Sequence, residues 1–407
     1  MRYISTRGMA PRVDFEGALF SGYASDGGLF MPEELPQLST ETLRQWSTLS
    51  YPGLVKELCT LFIGPELIPR DVLNGLIDQA FSRFRHREVV HLSRLRNGLN
   101  VLELWHGVTY AFKDLSLCCT AQFLQYFLEK KEKHVTVVVG TSGDTGSAAI
   151  ESVQGAKNMD IIVLLPKGHC TKIQELQMTT VLRENVHVFG AGCIAQKMGL
   201  PIGLVVAVNR NDIIHRTVQQ GNFSLSEAVE QTLASAMDIQ VPYNMERIFW
   251  LLSGSNSQVT RALMEQFERT QSVSLPKELH SKLSGAVTSE SVSDEAITQT
   301  MARCWEENKY LLCPHSAVAV NYHYQQTEQQ PPSLPRCCLA PASAAKFPEA
   351  VLAAGLTPET PAEILALESK GTRCTPMRKG DDWTLMLRNT IEDISCQQRG
   401  HFLNALE

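Results

Sequence analysis

The sequence predicts an α/β protein whose sheets are parallel and covered by helices. Three apolar runs rich in β-branched residues, at 135–139, 161–165 and 202–208, are predicted strands. The runs are nearly continuous, which is typical of strands buried on both faces of a parallel sheet. Residues 148–153, between the first two runs, have the composition of a connecting helix. Strand, helix and strand in this order form the unit from which parallel sheets are built.

Length and composition are those of a globular protein of two or three domains. The chain has 407 residues, 43% hydrophobic and 20% charged, with a net charge of -6. This charge provides no basic surface for nucleic acid or an anionic membrane. No apolar run is long enough to span a membrane, and residues 1–10 lack the apolar core of a signal peptide. We therefore expect a cytoplasmic protein with no nucleic-acid or membrane partner.

Cysteine spacing argues against zinc-finger or thioredoxin-like chemistry. The eleven cysteines include two adjacent pairs, but none forms a Cys-x-x-Cys motif. Their odd number and long spacings are typical of free thiols in a reducing compartment. We expect no metal site.

Apolar periodicity predicts most of the remaining elements. An N-terminal unit of turns and helices extends to about residue 97, and strands are expected at 101–105 and 186–189. A polar, proline-rich surface link is expected at 325–335. Helices are expected at 50–63, 71–84, 115–129, 172–184, 191–199, 224–237, 245–252, 294–308 and 317–323.

A single lysine lies within the apolar stretch VLELWHGVTYAFKDLSLCCT at residues 101–120. Lys113 is flanked by Phe112 and Leu115, with Trp105 and Tyr110 upstream. Burial among such side chains favours the neutral amine, which is the nucleophilic form. The alternative is a surface lysine whose stem covers apolar neighbours.

A glycine-rich turn follows the first apolar run. GTSGDTGSAA at residues 140–149 leads from a predicted strand into a helix of small residues. The amides at such a helix start can bind an anion. The turn matches neither the P-loop nor the dinucleotide fingerprint, and a simple tight turn remains an alternative. Together with Lys113, it suits a carbonyl cofactor that carries a phosphate.

Several motifs, in this order, resemble those of the threonine synthase family of fold-type II pyridoxal-phosphate (PLP) enzymes. The resemblance covers nearly the whole chain. The motifs are YISTRG at 3–8, DGGLF at 26–30, HG at 106–107 before Lys113, GTSGDTGSAA at 140–149, QELQM at 174–178, NRND at 209–212, MDI at 237–239, NMER at 244–247 and PHSAV at 314–318.

The resemblance implies a cofactor and a set of site residues. Lys113 would bind pyridoxal 5'-phosphate as a Schiff base, and its released amine would take the α-proton of the substrate. Ser343 is the candidate partner of the cofactor's pyridine nitrogen, because Pro341 in PASAAKF at 341–347 has no hydroxyl. The residues implied to bind the substrate carboxylate are Thr141, Ser142, Gly143, Asp144, Thr145 and Gly146.

The resemblance also implies three regions. Residues 1–97 form an N-terminal threonine-synthase-type region, and residues 98–190 form a small PLP domain that carries Lys113. Residues 191–407 hold the remainder of a large PLP domain and the C-terminal region. A homodimer is compatible with this assignment.

Three functions remain open within this family. A phospho-lyase would convert O-phosphothreonine to 2-oxobutyrate, ammonia and phosphate, and would accept γ-phosphorylated analogues. A threonine synthase would instead add water and form threonine from O-phosphohomoserine. The third reading is an inactive variant with a binding or regulatory role. We follow the phospho-lyase, which the strongest resemblance implies.

One expected motif is missing from the sequence. The family's second glycine loop, of the Gly-x-x-Gly-Asn type, binds the cofactor phosphate, and we do not find it between residues 186 and 196. Two βα units of about 30 residues each would account for a deletion on the order of 60 to 80 residues. We therefore expect an internally deleted form from alternative splicing, with an incomplete larger domain. Gly190 and Gly192 are candidates for a substitute loop.

Overall fold

Parallel strand pairs organise the molecule. The computed structural model describes residues 1–141, 143–165, 170–180, 191–329, 335–372 and 374–404, with no side chains described at 191–193 and 397–404. The described strands are β1 (Tyr3–Ser5), β2 (Phe30–Pro32), β3 (His91–Arg94), β4 (Leu99–Glu103), β5 (Val135–Gly140), β6 (Met159–Leu164), β7 (Leu204–Val208), β8 (Asn222–Ser224), β9 (Ser272–Ser274), β10 (Val287–Ser291) and β11 (Arg336–Ala340).

Helices surround these strands. Those in the described part of the chain are α1 (Phe15–Ser21), α2 (Thr40–Trp46), α3 (Tyr51–Phe62), α4 (Arg70–Phe81), α5 (Asp114–Lys131), α6 (Asp144–Val153), α7 (Lys172–Thr179), α8 (Ala191–Lys197), α9 (Ile213–Gln220), α10 (Met245–Leu252), α11 (Ser257–Thr270), α12 (Lys277–Ala286), α13 (Asp294–Asn308), α14 (Pro314–Gln329), α15 (Pro348–Ala353), α16 (Ala362–Leu365) and α17 (Trp383–Asn404). None of these described helices has the length and apolar character needed to cross a membrane.

Three sheets contain parallel pairs. β5 pairs with β6, β7 pairs with β10, and β4 pairs with β11 while β3 runs antiparallel along its other edge. The pair β4–β11 joins chain segments more than two hundred residues apart; helix α14 packs against β11, and helix α13 packs against α14. The two pairs β1–β2 and β8–β9 are antiparallel. The predicted α/β class with parallel sheets is confirmed.

A buried ionic network attaches the N-terminus to the centre of the chain. Thr6 Oγ1 donates a 2.6 Å hydrogen bond to Glu246 Oε1, and Arg7 Nε lies 3.1 Å from the same oxygen. A second guanidinium nitrogen of Arg7 lies 2.6 Å from Glu268. A buried charge is stable only when paired, and this network pairs Arg7 of the YISTRG motif with Glu246 of the NMER motif.

Two predicted strands are not buried on both faces. Val139 in β5 is fully buried, but its neighbour Val138 is 41% exposed, and Val205 in β7 is also 41% exposed. Successive side chains of a strand point to opposite faces. One face of β5 and one of β7 therefore remain partly uncovered. Each of these strands also has a single partner strand among the described residues.

The prediction of a helix at 224–237 is wrong. Only a short 3-10 turn forms there, at Ser235–Met237. Asn211 exchanges two hydrogen bonds with the backbone of Glu230, at 2.8 and 2.9 Å, and Asp238 accepts from both the amide and the hydroxyl of Thr232. Side chains thus satisfy the backbone groups that a helix would have paired internally.

Other boundaries differ at the ends of elements. Helix α7 ends at Thr179 rather than 184, and the strand predicted at 186–189 lies outside the described residues. Helix α14 continues through Gln329, into the segment predicted to be a surface link, of which residues 330–334 are not described. Helices α9, α11 and α12 were not predicted.

Candidate active site

Lys113 immediately precedes helix α5 and is half-buried. Burial lowers the pKa of its amine, while the nearby Asp144 carboxylate opposes that effect. Its Nζ lies 4.6 Å from the centre of the Phe112 ring, and it makes no hydrogen bond or ion pair with a described residue. The structure thus supports the predicted desolvated amine and leaves its nitrogen available for reaction.

A buried lysine–aspartate pair lies beside this amine. Nζ of Lys346 is 2.7 Å from Oδ1 of Asp144, and both side chains are buried. Lys346 also donates to the carbonyl of Thr109 at 2.8 Å, and Gln174 Nε2 donates to Asp144 at 2.8 Å. The positive charges of Lys346 and Lys113 outweigh the effect of burial and hold the pKa of Asp144 well below its usual range.

Lys346 was not predicted as a site residue. The signal available was AAKF at residues 344–347, a lysine among apolar neighbours, which is the argument that selected Lys113. The structure uses Lys346 as the counter-ion of Asp144. Asp144 was predicted to bind substrate, but its carboxylate is engaged inside the protein.

A second carboxylate lies close to Lys113 along the chain. Asp114 accepts hydrogen bonds from the amide and the hydroxyl of Thr109, at 2.8 and 2.9 Å. Burial raises the pKa of Asp114 to about 6, although both hydrogen bonds oppose the rise. Gly107 contacts this carboxyl so closely that a Cβ there would lie 2.2 Å from Oδ2. The glycine of the HG motif is therefore required by packing.

The glycine-rich turn enters helix α6 as predicted. Thr141 Oγ1 accepts from the amides of Gly143 and Gly146, at 3.0 and 2.9 Å. The amides of Asp144 and Thr145 have no hydrogen-bond partner among the described residues, so they remain donors for an anion. Ser142 lies outside the described residues.

Gly143 has a conformation that other residues rarely adopt. Its φ is +144°, and a Cβ there would lie 2.6 Å from Cδ of Gln174. Because Gln174 is itself bonded to Asp144, the turn, helix α7 and the ion pair are packed together. The glycine permits this close approach.

Ser343 lies on the segment next to Lys113. The Phe112 amide donates to the Pro341 carbonyl at 2.6 Å, and the Ser343 amide donates to the Tyr110 carbonyl at 3.0 Å. The Ser343 hydroxyl accepts from the Ala345 amide at 3.3 Å, which leaves its own proton free to be donated. Ser343 also lines a cavity of about 140 Å³ together with Trp105 and Tyr310; Lys113 does not line this cavity.

His315 is buried near the same group of charges. Burial lowers its pKa to about 4, and Nε2 accepts a 3.0 Å hydrogen bond from the Ala236 amide. An imidazole that accepts at Nε2 is neutral. His315 is therefore a structural acceptor here, while His106 pairs with Glu103 at 2.8 Å.

The candidate substitute phosphate loop cannot be placed. Gly190 lies outside the described residues, and the side chains of residues 191–193 are not described. Helix α8 begins at Ala191 and has seven residues. The proposed role of Gly190 and Gly192 stays a prediction.

Family models match both ends of the chain. The threonine synthase N-terminus model matches residues 2–81, and the threonine synthase C-terminal model matches residues 316–386. Among solved structures, yeast threonine synthase has a TM-score of 0.88 at 29% identity, covering 97% of this chain and 99% of that one. PLP-bound threonine synthase from Brucella melitensis has a TM-score of 0.86 at 30% identity, covering 93% and 96%.

Fold and site define a protein with the fold-type II architecture of PLP enzymes. Threonine synthase-like 2 from Homo sapiens is 73% identical, with 99% of each chain covered. Threonine synthase from Pseudomonas aeruginosa is 32% identical, covering 92% of this chain and 95% of that protein. The chain belongs to the threonine synthase family, and the predicted family is confirmed. The alignment with the human relative spans 481 residues, more than the 407 of this chain.

Proposed function

We propose that the chain is a PLP-dependent phospho-lyase that acts on O-phosphorylated amino acids, with O-phosphothreonine as the first substrate to test. The observation that carries this proposal is the amine of Lys113, which is desolvated and has no hydrogen-bond or ion-pair partner among the described residues. An amine in this state is a good nucleophile toward a carbonyl.

The described residues suit two parts of PLP, its carbonyl carbon and its ring nitrogen. Lys113 would hold its carbonyl carbon, and the free proton of the Ser343 hydroxyl is available to a ring nitrogen. The substitute phosphate loop expected at Gly190 and Gly192 lies partly outside the described residues. When bound, PLP supplies an electron sink for a carbanion at the substrate's α-carbon.

The protein's own groups would hold the substrate and move its proton. The free amides of Asp144 and Thr145 at the start of α6 suit the substrate carboxylate, where the helix dipole adds to the attraction. Nζ of Lys113 is the base for the α-proton, since a lowered pKa increases its neutral fraction. Asp144 and Lys346 neutralise each other, so this part of the site gains no net charge.

A non-catalytic binding role is the second candidate. It is supported by the aligned length of 481 against 407 residues and by the exposed valines of β5 and β7. Both observations are expected if an internal segment of the larger domain is absent, as in an alternatively spliced form. Loss of the amides that bind the cofactor phosphate would weaken cofactor binding by several kcal/mol.

Absorbance spectroscopy tests the proposal. The purified 407-residue chain is mixed with PLP beside Lys113→Ala and the control Lys130→Ala, which removes a lysine at the other end of α5. A visible band that is lost with Lys113→Ala but kept with Lys130→Ala supports cofactor binding at Lys113. A folded wild-type chain without such a band would rule out catalysis and favour the binding role.

Product analysis then separates the two enzymes. O-phosphothreonine and O-phosphohomoserine are each incubated with the loaded protein, and 2-oxobutyrate, threonine and phosphate are measured. Release of 2-oxobutyrate, abolished by Lys113→Ala, supports the phospho-lyase. Threonine as the main product from O-phosphohomoserine would instead support a threonine synthase.

A further inference from the structure

A cluster of histidine and carboxylate side chains lies on the segment between α4 and β3. His86, Glu88 and His91 each present a ligand atom within 4.8 Å of the others. Nδ1 of His91 is 2.8 Å from Oε2 of Glu88, and the rings of His86 and His91 are 4.9 Å apart. The three side chains therefore surround a common point at the surface.

A strained turn brings these side chains together. Val89 has a φ of +66°, which is a rare conformation for a β-branched residue, and its side chain is buried. The Val89 amide donates to the His86 carbonyl at 2.9 Å, and the Val90 amide donates to the Glu88 carbonyl at 2.8 Å. The tight turn places ligands at positions i, i+2 and i+5 on one side of the chain.

A third histidine packs against the ring of His86. The ring of His106 lies 4.5 Å from that of His86, and its Nε2 is 2.8 Å from Glu103. Glu103 is held in turn by hydrogen bonds from Ser93 at 2.6 Å and Tyr310 at 2.8 Å. Packing against this paired histidine restricts the His86 ring, and restricted ligands bind metals more tightly.

The donor set identifies the class of ligand. Two imidazoles and one carboxylate are a zinc donor set, with water in the fourth position. A neutral imidazole binds Zn²⁺, Ni²⁺ and Cu²⁺ far better than Mg²⁺ or Ca²⁺, which prefer oxygen ligands. Without a metal, Glu88 Oε2 and His91 Nδ1 are joined by a hydrogen bond.

We propose that His86, Glu88 and His91 form a binding site for one divalent transition-metal ion, with Zn²⁺ as the ion to test. The ion would replace the hydrogen bond between Glu88 and His91 and fix the connection between α4 and β3. This connection reaches the HG motif, because the Arg85 amide donates to the His106 carbonyl at 3.0 Å. The site is independent of PLP and of the proposed catalysis.

Calorimetric titration with Zn²⁺ tests the site on the full chain, without an affinity tag and after treatment with chelator. The wild-type chain is compared with the double variant His86→Gln/His91→Gln. We expect one high-affinity equivalent in the wild type and at least about a 100-fold loss of affinity in the double variant. His134→Gln, which removes a histidine paired with Asp160 elsewhere, should retain the wild-type affinity.

Two further measurements distinguish the loss of a metal ligand from misfolding of a variant. Glu88→Gln replaces an exposed side chain and should weaken Zn²⁺ binding by about 10-fold while the circular dichroism spectrum stays unchanged. Co²⁺ should give a visible absorption spectrum typical of nitrogen and oxygen ligands in the wild type, and this spectrum should be lost in His86→Gln/His91→Gln. A wild-type chain that binds no stoichiometric Zn²⁺, or variants that bind it as tightly as the wild type, would overturn the proposal.

Discussion

Nζ of Lys346 lies 2.7 Å from Oδ1 of Asp144, and both side chains are excluded from solvent. The pair joins the segment after β11 to the first turn of α6, and both charges lie near the amine of Lys113. Two groups that are separated by two hundred residues in the chain thus set the charge balance of the candidate site.

Removing Lys346 should destabilise the protein strongly at neutral pH. Lys346→Met leaves a buried carboxylate without its cation, which costs about 3–5 kcal/mol. The double variant Asp144→Asn/Lys346→Met should lose less stability than Lys346→Met, because no unpaired charge remains. Urea unfolding at pH 7 measures both. A double variant that is less stable than Lys346→Met would contradict this account.

The same ion pair should make stability depend on acid pH. The folded pKa of Asp144 is depressed, so its stabilising contribution is present above the unfolded pKa near 3.8 and is lost as pH falls towards the folded value. The stability difference between wild type and Asp144→Asn/Lys346→Met should therefore narrow below pH 4. Urea unfolding from pH 7 to pH 3 measures it. An unchanged difference would show that Asp144 contributes no charge-dependent stability.

Asp114 should make stability depend on pH in the opposite direction to Asp144. Burial raises its folded pKa to about 6 from 3.8, so the folded chain gains stability when this carboxyl is protonated, and that gain is lost as pH rises from 4 through 6. One pKa unit corresponds to about 1.4 kcal/mol, which gives a loss on the order of 3 kcal/mol.

Asp114→Asn isolates this effect. An amide can still hydrogen bond with Thr109, but it does not titrate. Relative to wild type, the variant should therefore become more stable as pH rises from 4 to 7. Thermal unfolding across this range measures the change, and parallel pH profiles for the two proteins would refute the assignment.

Gly143→Ala should cost about 1–3 kcal/mol, because it forces an alanine into a φ of +144° and against the Gln174 side chain. The matched control is Gly140→Ala at the end of β5, where a Cβ meets no atom within 4 Å. Chemical denaturation of both variants gives the comparison. Equal costs would mean that the turn at Gly143 tolerates a side chain.

The exposed valines should promote self-association. Uncovered apolar strands with unpaired edges are common sites of intermolecular pairing. Val138→Thr/Val205→Thr should reduce association in sedimentation experiments at raised protein concentration, with little change in stability. Val139→Thr, which alters a fully buried side chain of the same strand, should instead destabilise the fold. Unchanged association in the double variant would exclude these strands as the contact.

Much of the secondary structure could be predicted from the local sequence. Helix α3 was predicted at 50–63 and forms at Tyr51–Phe62, and β5 follows its β-branched run almost to the residue. These elements are specified by periodicity and side-chain shape, which act over a few neighbouring residues. The order of the motifs was enough to predict the family, and the setting of Lys113 was enough to predict its desolvation.

Long-range contacts decided the rest. No local signal could show that Lys346 pairs with Asp144, that Asn211 and Asp238 hold residues 224–238 out of a helix, or that His86 stacks on His106. In each case the contact joins groups that are brought together only when the chain folds. The sequence by itself determined the fold class and predicted Lys113 as the reactive lysine. Only the tertiary structure decided which charges surround that lysine and which histidines meet at the surface, because burial and proximity arise when the chain is folded.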